Sequence, residues 1–282
     1  MMVPSDEELL EYARRQLADA GVWDVEGDIE ALAERFLGRS PGATRVAEFE
    51  AAVAERRARI PLGHITGCVD FDGMRLLVGG GVFVPRRESV ALVDWAADEA
   101  VLPAGGRVLD LCAGVGTLGL AIARRRPDAC VWCLERDDTA VQYLRRNLAR
   151  QAAVTGQLTV QVADLMEPDC LDAHAGATDV IVANPPYVPP SQPLPPEWAE
   201  HHPRAAVYGG ADGFDVIRRI AALGAITLRP DGQLALEHDR SQPEAVQQIL
   251  IHHGYSDVTT VTDSAGDRRI TVARIAAKEQ SG

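Results

Sequence analysis

Lysine is nearly missing: Lys278 is the only one, so almost every cation is an arginine. Positive charge is short overall, with 28 Lys and Arg against 41 Asp and Glu and a formal net charge of −13. A duplex-binding protein ordinarily needs a cationic surface to release counterions, so this balance argues against a long nucleic-acid footprint. No apolar run approaches the roughly 18–20 residues that span a bilayer. The opening Met1-Met2-Val3-Pro4-Ser5-Asp6-Glu7-Glu8 has no basic stretch followed by an apolar one, so no secretory signal is read there and a cytoplasmic location is expected. Cysteine is sparse and odd in number: Cys68, Cys112, Cys130, Cys133 and Cys170, expected as free thiols. Cys130 and Cys133 form a C-x-x-C, but Ala129 to Leu134 reads as a buried strand. Residues three apart on a strand face opposite sides and do not share a metal. None of the seven histidines sits in a metal-ligand pattern, and the adjacent pairs His201-His202 and His252-His253 should point apart. No metal is expected.

What is present suits a globular protein. The chain has 282 residues, 46% of them hydrophobic and 24% charged, enough for one large domain or two smaller ones with a real core. Three parts are expected. Residues 1–60 read as a helical bundle. Ser5 with Glu8 makes a capping box before Leu9, Leu10, Ala13 and Leu17. Ile29, Leu32, Ala33, Phe36 and Leu37 form one buried stripe ending at Gly38, and Val46, Phe49 and Val53 mark a third helix that stops before Pro61. This part carries eight Arg against thirteen Asp and Glu. It reads equally as a passive cap or as a docking surface for a macromolecular partner. Residues 61–88 read as a connector, with Asp72-Gly73 turning a hairpin between Val69 and Leu76. Residues 89–282 alternate strands (107–112, 130–135, 158–163, 179–183, 232–237 and 270–275) with helices such as 139–150 and 243–252. That pattern predicts an α/β, Rossmann-like, mostly parallel sheet with helices on both faces, whose ligands bind beyond the carboxyl ends of the strands.

The chemistry-bearing residues fall at those ends. The first strand runs into Cys112-Ala113-Gly114-Val115-Gly116, a small-residue turn that lets backbone approach a ligand. By itself it fits NAD, FAD, a nucleotide or S-adenosylmethionine. Glu135, 19 positions beyond Gly116, ends the second strand where an acid suits ribose hydroxyls; the plainer reading is a solvated acid. Asp164 and Leu165 follow the third strand, where an acceptor would suit a purine amino group. The fourth strand runs into Asn184-Pro185-Pro186-Tyr187. There the Asn184 side-chain oxygen and the Pro185 carbonyl, fixed by two prolines, can both accept from one planar NH2 group, with Tyr187 over its π face. A purely structural turn is the alternative. The proline-rich segment from Val188 to Pro203 reads equally as a wall over the substrate or as a stiff surface loop, and surface-loop positions are the plainer reading of His201 and His202.

These motifs resemble the HemK-type protein-(glutamine-N5) methyltransferase family, whose members act on peptide chain release factors. The resemblance spans roughly 60–275. Pro61-Leu62-Gly63-His64-Ile65-Thr66-Gly67 and Val84-Pro85-Arg86 look like its connector. Gly209-Gly210-Ala211-Asp212-Gly213 and Leu236-Glu237 match later landmarks. It implies an S-adenosylmethionine-dependent methyltransferase with Cys112 to Gly116 on the methionine part, Glu135 on the ribose, and Asp164 and Leu165 beside the adenine. Asn184 with Pro185 would activate the glutamine amide, Asn184 would also help bind the cofactor by orienting its sulfonium methyl, and Pro186 and Tyr187 would complete the substrate site. The helical part would dock a release factor. The chain is expected to act as a monomer, with neither membrane nor direct nucleic-acid binding. Three departures stand out. Cys112 replaces a usual glycine, Ser89-Val90 a usual Thr-Glu, and His201-His202-Pro203-Arg204 a usual acid before Pro-Arg. The last two leave the protein substrate open. The competing reading is an N6-adenine or other nucleic-acid amino methyltransferase, since that amine is planar too. A third is a silent binding protein that keeps the fold.

Overall fold

The computed structural model describes residues 4–38, 43–151, 157–263 and 265–276. It opens with α1 (Asp6–Asp19), α2 (Val25–Phe36) and α3 (Ala43–Arg57). The Ser5–Glu8 capping box starts α1, and Gly38, at φ 63°, ends the second stripe in the left-handed conformation. Leu9, Leu17, Leu32 and Phe49 close a small apolar core of their own. Beneath it Arg56 is buried, donating to Asp28 at 2.5 Å and to Glu197 at 2.9 Å.

The short α4 (Leu62–Thr66) leads into β1 (Cys68–Phe71) and β2 (Met74–Leu77), the expected hairpin. Asp72 and Gly73 both have positive φ, as a two-residue hairpin turn of this hand requires. The chain continues through α5 (Val90–Ala96), β3 (Arg107–Leu111), α6 (Thr117–Arg125), β4 (Cys130–Glu135), α7 (Asp138–Arg150), β5 (Leu158–Val162) and β6 (Thr178–Ala183). After it come α8 (Pro196–Ala199), α9 (Arg204–Val207), α10 (Asp215–Thr227), β7 (Leu228–Glu237), α11 (Pro243–His252), β8 (Tyr255–Thr262) and β9 (Arg268–Ile275). The large sheet has the order β5-β4-β3-β6-β7-β9-β8. Strands β3 to β7 pair in parallel, while β9 is antiparallel to both β7 and β8. One core packs Leu92, Leu120, Ile122 and Leu144 against one face, and a second packs Ile217, Ile220, Val246 and Leu250 against the other. No helix among the described residues is long and apolar enough to cross a membrane.

Two strand expectations need correction. β8 was not foreseen, and β7 begins at Leu228 instead of residue 232. Arg229-Pro230-Asp231-Gly232 reads as a turn, yet Asp231 takes φ 62° and the ladder shifts register there without breaking. Cys130, at the mouth of β4, is exposed, whereas Cys133 is buried.

The topology places the site. Strand β3 is followed in sequence by β4 on one side of it and, after β5, by β6 on the other, so the order reverses between β3 and β6. Leu111 pairs with both Leu134 and Ala183, and Ala183 pairs with Leu236. The next residue on each strand, Glu135, Cys112, Asn184 and Glu237, therefore stands in one row along the carboxyl edge of the sheet.

Candidate active site

Cys112, Glu135 and Asn184 of that row line a cavity of about 570 Å³. All the residues that the sequence reading placed on the cofactor or the substrate line it except Gly116. Cys112 takes φ 64°, a conformation that favours glycine and accounts for the family's usual residue there. Its thiol is partly buried against the core, and burial, then Glu135 and Asp110, pushes its pKa up, so it stays a neutral thiol. Ala113 N–H donates to the Leu134 carbonyl, and Gly116 N–H closes a tight turn on Ala113 at 2.8 Å. A Cβ on Gly114 would meet no atom within 4 Å, so the loop leaves open space beside it. Gly116 lies behind the loop, packed towards Leu120 and Leu144, as the start of α6. Asn147 on α7 clamps the loop from outside, donating to Val115 O and exchanging hydrogen bonds with Leu77 of the hairpin.

Glu135 is not a loose solvated acid. One oxygen accepts from Gly114 N–H at 2.8 Å and the other from Arg136 and Asp137 N–H, tying the end of β4 to the glycine loop. Asp164 accepts from Met166 N–H at 2.9 Å and pairs with Arg136 at 3.0 Å. The Met166 N–H, then Arg136, hold its carboxyl below the ordinary value. Leu165 is buried beside it.

Two acids that the sequence reading did not assign complete this edge. Asp110, on β3, is fully buried; Oδ2 accepts from Gly119 N–H at 2.8 Å, while Oδ1 has no hydrogen-bond partner. Burial, reinforced by Glu135, lifts its pKa to about 7. An acid inside the apolar run Val108 to Leu111 was its signal in sequence. Glu237, at the end of β7, is 1% exposed and accepts from Ser89 Oγ at 2.5 Å; Ser89 Oγ in turn accepts from Asn184 Nδ2 at 3.2 Å.

Pro185, Pro186 and Tyr187 are buried. The Pro186 carbonyl is turned towards Gly209, where an added Cβ would collide with it. Gly213, at φ 84°, lies equally close to the Tyr187 carbonyl, which also accepts from Gln242 at 2.9 Å. The Gly209 to Gly213 loop is thus the backing of the motif. Burial pushes the Tyr187 phenol up and keeps it neutral.

The proline-rich segment forms part of the wall. Trp198 of α8 lines the cavity, with the Arg86 guanidinium stacked 4.5 Å from its ring centre. Glu197, beside it, pairs with Arg59 at 2.6 Å as well as with Arg56 of the bundle. His202 is not a surface-loop residue: it is buried, with ring contacts to His64, Phe83 and Trp198, and accepts from Val84 N–H at 3.3 Å. Burial draws its pKa down to about 4, so it packs as a neutral ring. His201 instead reaches the Ala58 carbonyl. His252 and His253 do not point apart; their rings meet edge to face, 5.5 Å between centres. Among the described residues no three His, Cys, Asp or Glu side chains group as metal ligands.

Comparison with known proteins identifies the family. The model of the methyltransferase small domain matches residues 89–193. The release factor glutamine methyltransferase of Mycolicibacterium smegmatis is 40% identical over 278 residues, covering 95% of this chain and 97% of that protein. The chain belongs to the release factor glutamine methyltransferase family. The Mycobacterium tuberculosis member is 36% identical over 278 residues, covering 94% of this chain and 90% of its own. A methyltransferase from Pyrococcus furiosus of known structure shares the fold with a TM-score of 0.51 and 18% identity, over 83% of this chain and 100% of its own.

Proposed function

We propose that this protein transfers a methyl group from S-adenosylmethionine to the side-chain amide nitrogen (N5) of a glutamine in a peptide chain release factor. The observation that carries this reading is the Asn184 carboxamide, held at the switch point, lining the cavity and donating from its nitrogen to Ser89 Oγ.

The residues fit the cofactor. The open side of Gly114 gives the cradle, and the partnerless Asp110 Oδ1 is an acceptor for the ammonium of the methionine part. Cys112, Ala113, Val115 and Gly116 shape the loop around it. Glu135 keeps acceptor capacity for ribose hydroxyls, and Asp164 and Leu165 would flank the adenine. When bound, S-adenosylmethionine supplies a methyl group on a positively charged sulfur, released to nitrogen as the carbon–sulfur bond breaks.

The protein's own task is to ready an unwilling nitrogen. An amide lone pair is delocalised into its carbonyl. Two fixed acceptors, Asn184 Oδ1 and the Pro185 carbonyl, accept hydrogen bonds from both N–H groups, orient the lone pair and complement the positive charge that grows on nitrogen. Pro186 and Tyr187 hold the amide in plane. The rest is alignment, for which no strong base is needed: the N-methylated nitrogen is strongly acidic and gives up one of its two protons to water once the methyl group has arrived. Residues 1–60 serve as the docking part, 61–88 as the connector and 89–282 as the methyltransferase domain, in a monomer working in the cytoplasm.

Asn184→Ala should abolish transfer to purified release factor while calorimetry shows S-adenosylmethionine still bound. Normal turnover in that variant would overturn the assignment.

A further inference from the structure

We propose that Glu237 and Ser89 form a relay that fixes which way the Asn184 carboxamide faces, making both positioning residues for methyl transfer. The inference rests on the glutamine reading of the site and adds two residues to it. A carboxamide can be turned over at little cost unless its neighbours tell oxygen from nitrogen. Here they do. The Ser89 hydroxyl has one proton, and Glu237 takes it at 2.5 Å. The Ser89 oxygen can then only accept, so the Asn184 group facing it must be the NH2, at 3.2 Å. Asn184 Oδ1 is thereby directed at the substrate. Turned over, Asn184 would set its own NH2 against the substrate's NH2, donor against donor.

Three features point to this use. Ser89 precedes the first residue of α5, where a serine ordinarily caps the helix by accepting a backbone N–H; it makes no such bond, and its hydroxyl is given to Glu237 instead. Ser89 and Glu237 are 2% and 1% exposed, and a buried carboxylate is costly without a purpose. Register then brings the three together: Ala183 pairs with Leu236, so the side chains of Asn184 and Glu237 leave neighbouring strands at one level. Burial pushes the Glu237 carboxyl above its ordinary value; the Ser89 hydrogen bond, Arg86 and Arg269 work against that, and Glu88 adds to it.

The test uses the full chain, a purified release factor and tritiated S-adenosylmethionine. Ser89→Ala should lower kcat about 10- to 100-fold, the scale of a misplaced catalytic group. Its affinity for S-adenosylmethionine by calorimetry should stay within about twofold, as expected when only the transition state loses a contact. Ser89→Thr, which keeps the hydroxyl, should retain at least a third of the wild-type kcat. Glu237→Gln should fall with Ser89→Ala, because its amide can donate to Ser89 and free the hydroxyl proton for Asn184 Oδ1. Wild-type kcat in Ser89→Ala, or equal impairment in Ser89→Thr and Ser89→Ala, would overturn the relay. A measurement on the unaltered protein covers misfolding of the variants: the two side-chain amide protons of Asn184, assigned by NMR against Asn184→Ala, should exchange with solvent at different rates, since only one meets Ser89. Equal rates would contradict the relay. Wild-type protein that binds S-adenosylmethionine yet leaves release factor unmethylated would count against the glutamine reading, and the amide protons would still decide the relay.

Discussion

At the scale of single residues, carboxylates along one strand edge have different duties because their surroundings differ. Glu135 is partly exposed and tied to three backbone N–H groups, so its remaining lone pairs can meet a ribose. Glu135→Ala should weaken S-adenosylmethionine binding by about 1.5–3 kcal/mol, the range for hydrogen bonds to a charged group, as read by calorimetry; unchanged affinity would refute its role. Asp110 is fully buried and its pKa is raised to about 7. An acid raised above its unfolded value binds more protons when folded, so ionising it lowers stability as pH rises from about 4 to about 7. In the absence of cofactor, Asp110→Asn should therefore gain stability relative to the wild type across that window and hold a constant difference above it, in urea titrations at a series of pH values. A difference independent of pH would show that Asp110 does not titrate there. The sequence exposed the acid in β3 and the Asn-Pro-Pro-Tyr motif plainly. It did not expose the link between Ser89 and Glu237, 148 positions apart, because only strand register and the start of α5 bring them together.

Among elements, the apolar strands declared themselves and the polar edge did not. β3 and β6 are almost wholly buried, so their runs of aliphatic residues mark them. β8 buries only Tyr255 and is otherwise Ser, Asp, Thr and Val at an edge, with no alternation to read. The proline-rich segment hid its contact with the bundle for a similar reason: Glu197 looks like any surface acid until Arg56 and Arg59 are folded against it. Arg56 is 3% exposed and satisfies Asp28 and Glu197 together. Arg56→Met leaves Asp28 with an unpaired buried charge, while Glu197 keeps Arg59, and should cost about 3–5 kcal/mol. Native-state hydrogen exchange should show the amides of α2 and α3 opening more easily, whereas unchanged protection would mean that the pair contributes nothing.

Taken as a whole molecule, the protein sets an acidic, arginine-buttressed bundle beside a methyltransferase sheet, and joins them through the hairpin connector and the α8 wall. The excess of acid, with a net charge of −13, suits a protein substrate better than a nucleic acid. The most direct measurement is fragment-ion mass spectrometry of a release factor after incubation with this protein and S-adenosylmethionine. One added methyl, located on a glutamine side-chain nitrogen and absent when Asn184→Ala replaces the wild type, is the predicted result. A methyl group on any other residue, or on RNA alone in the same mixture, would contradict the account.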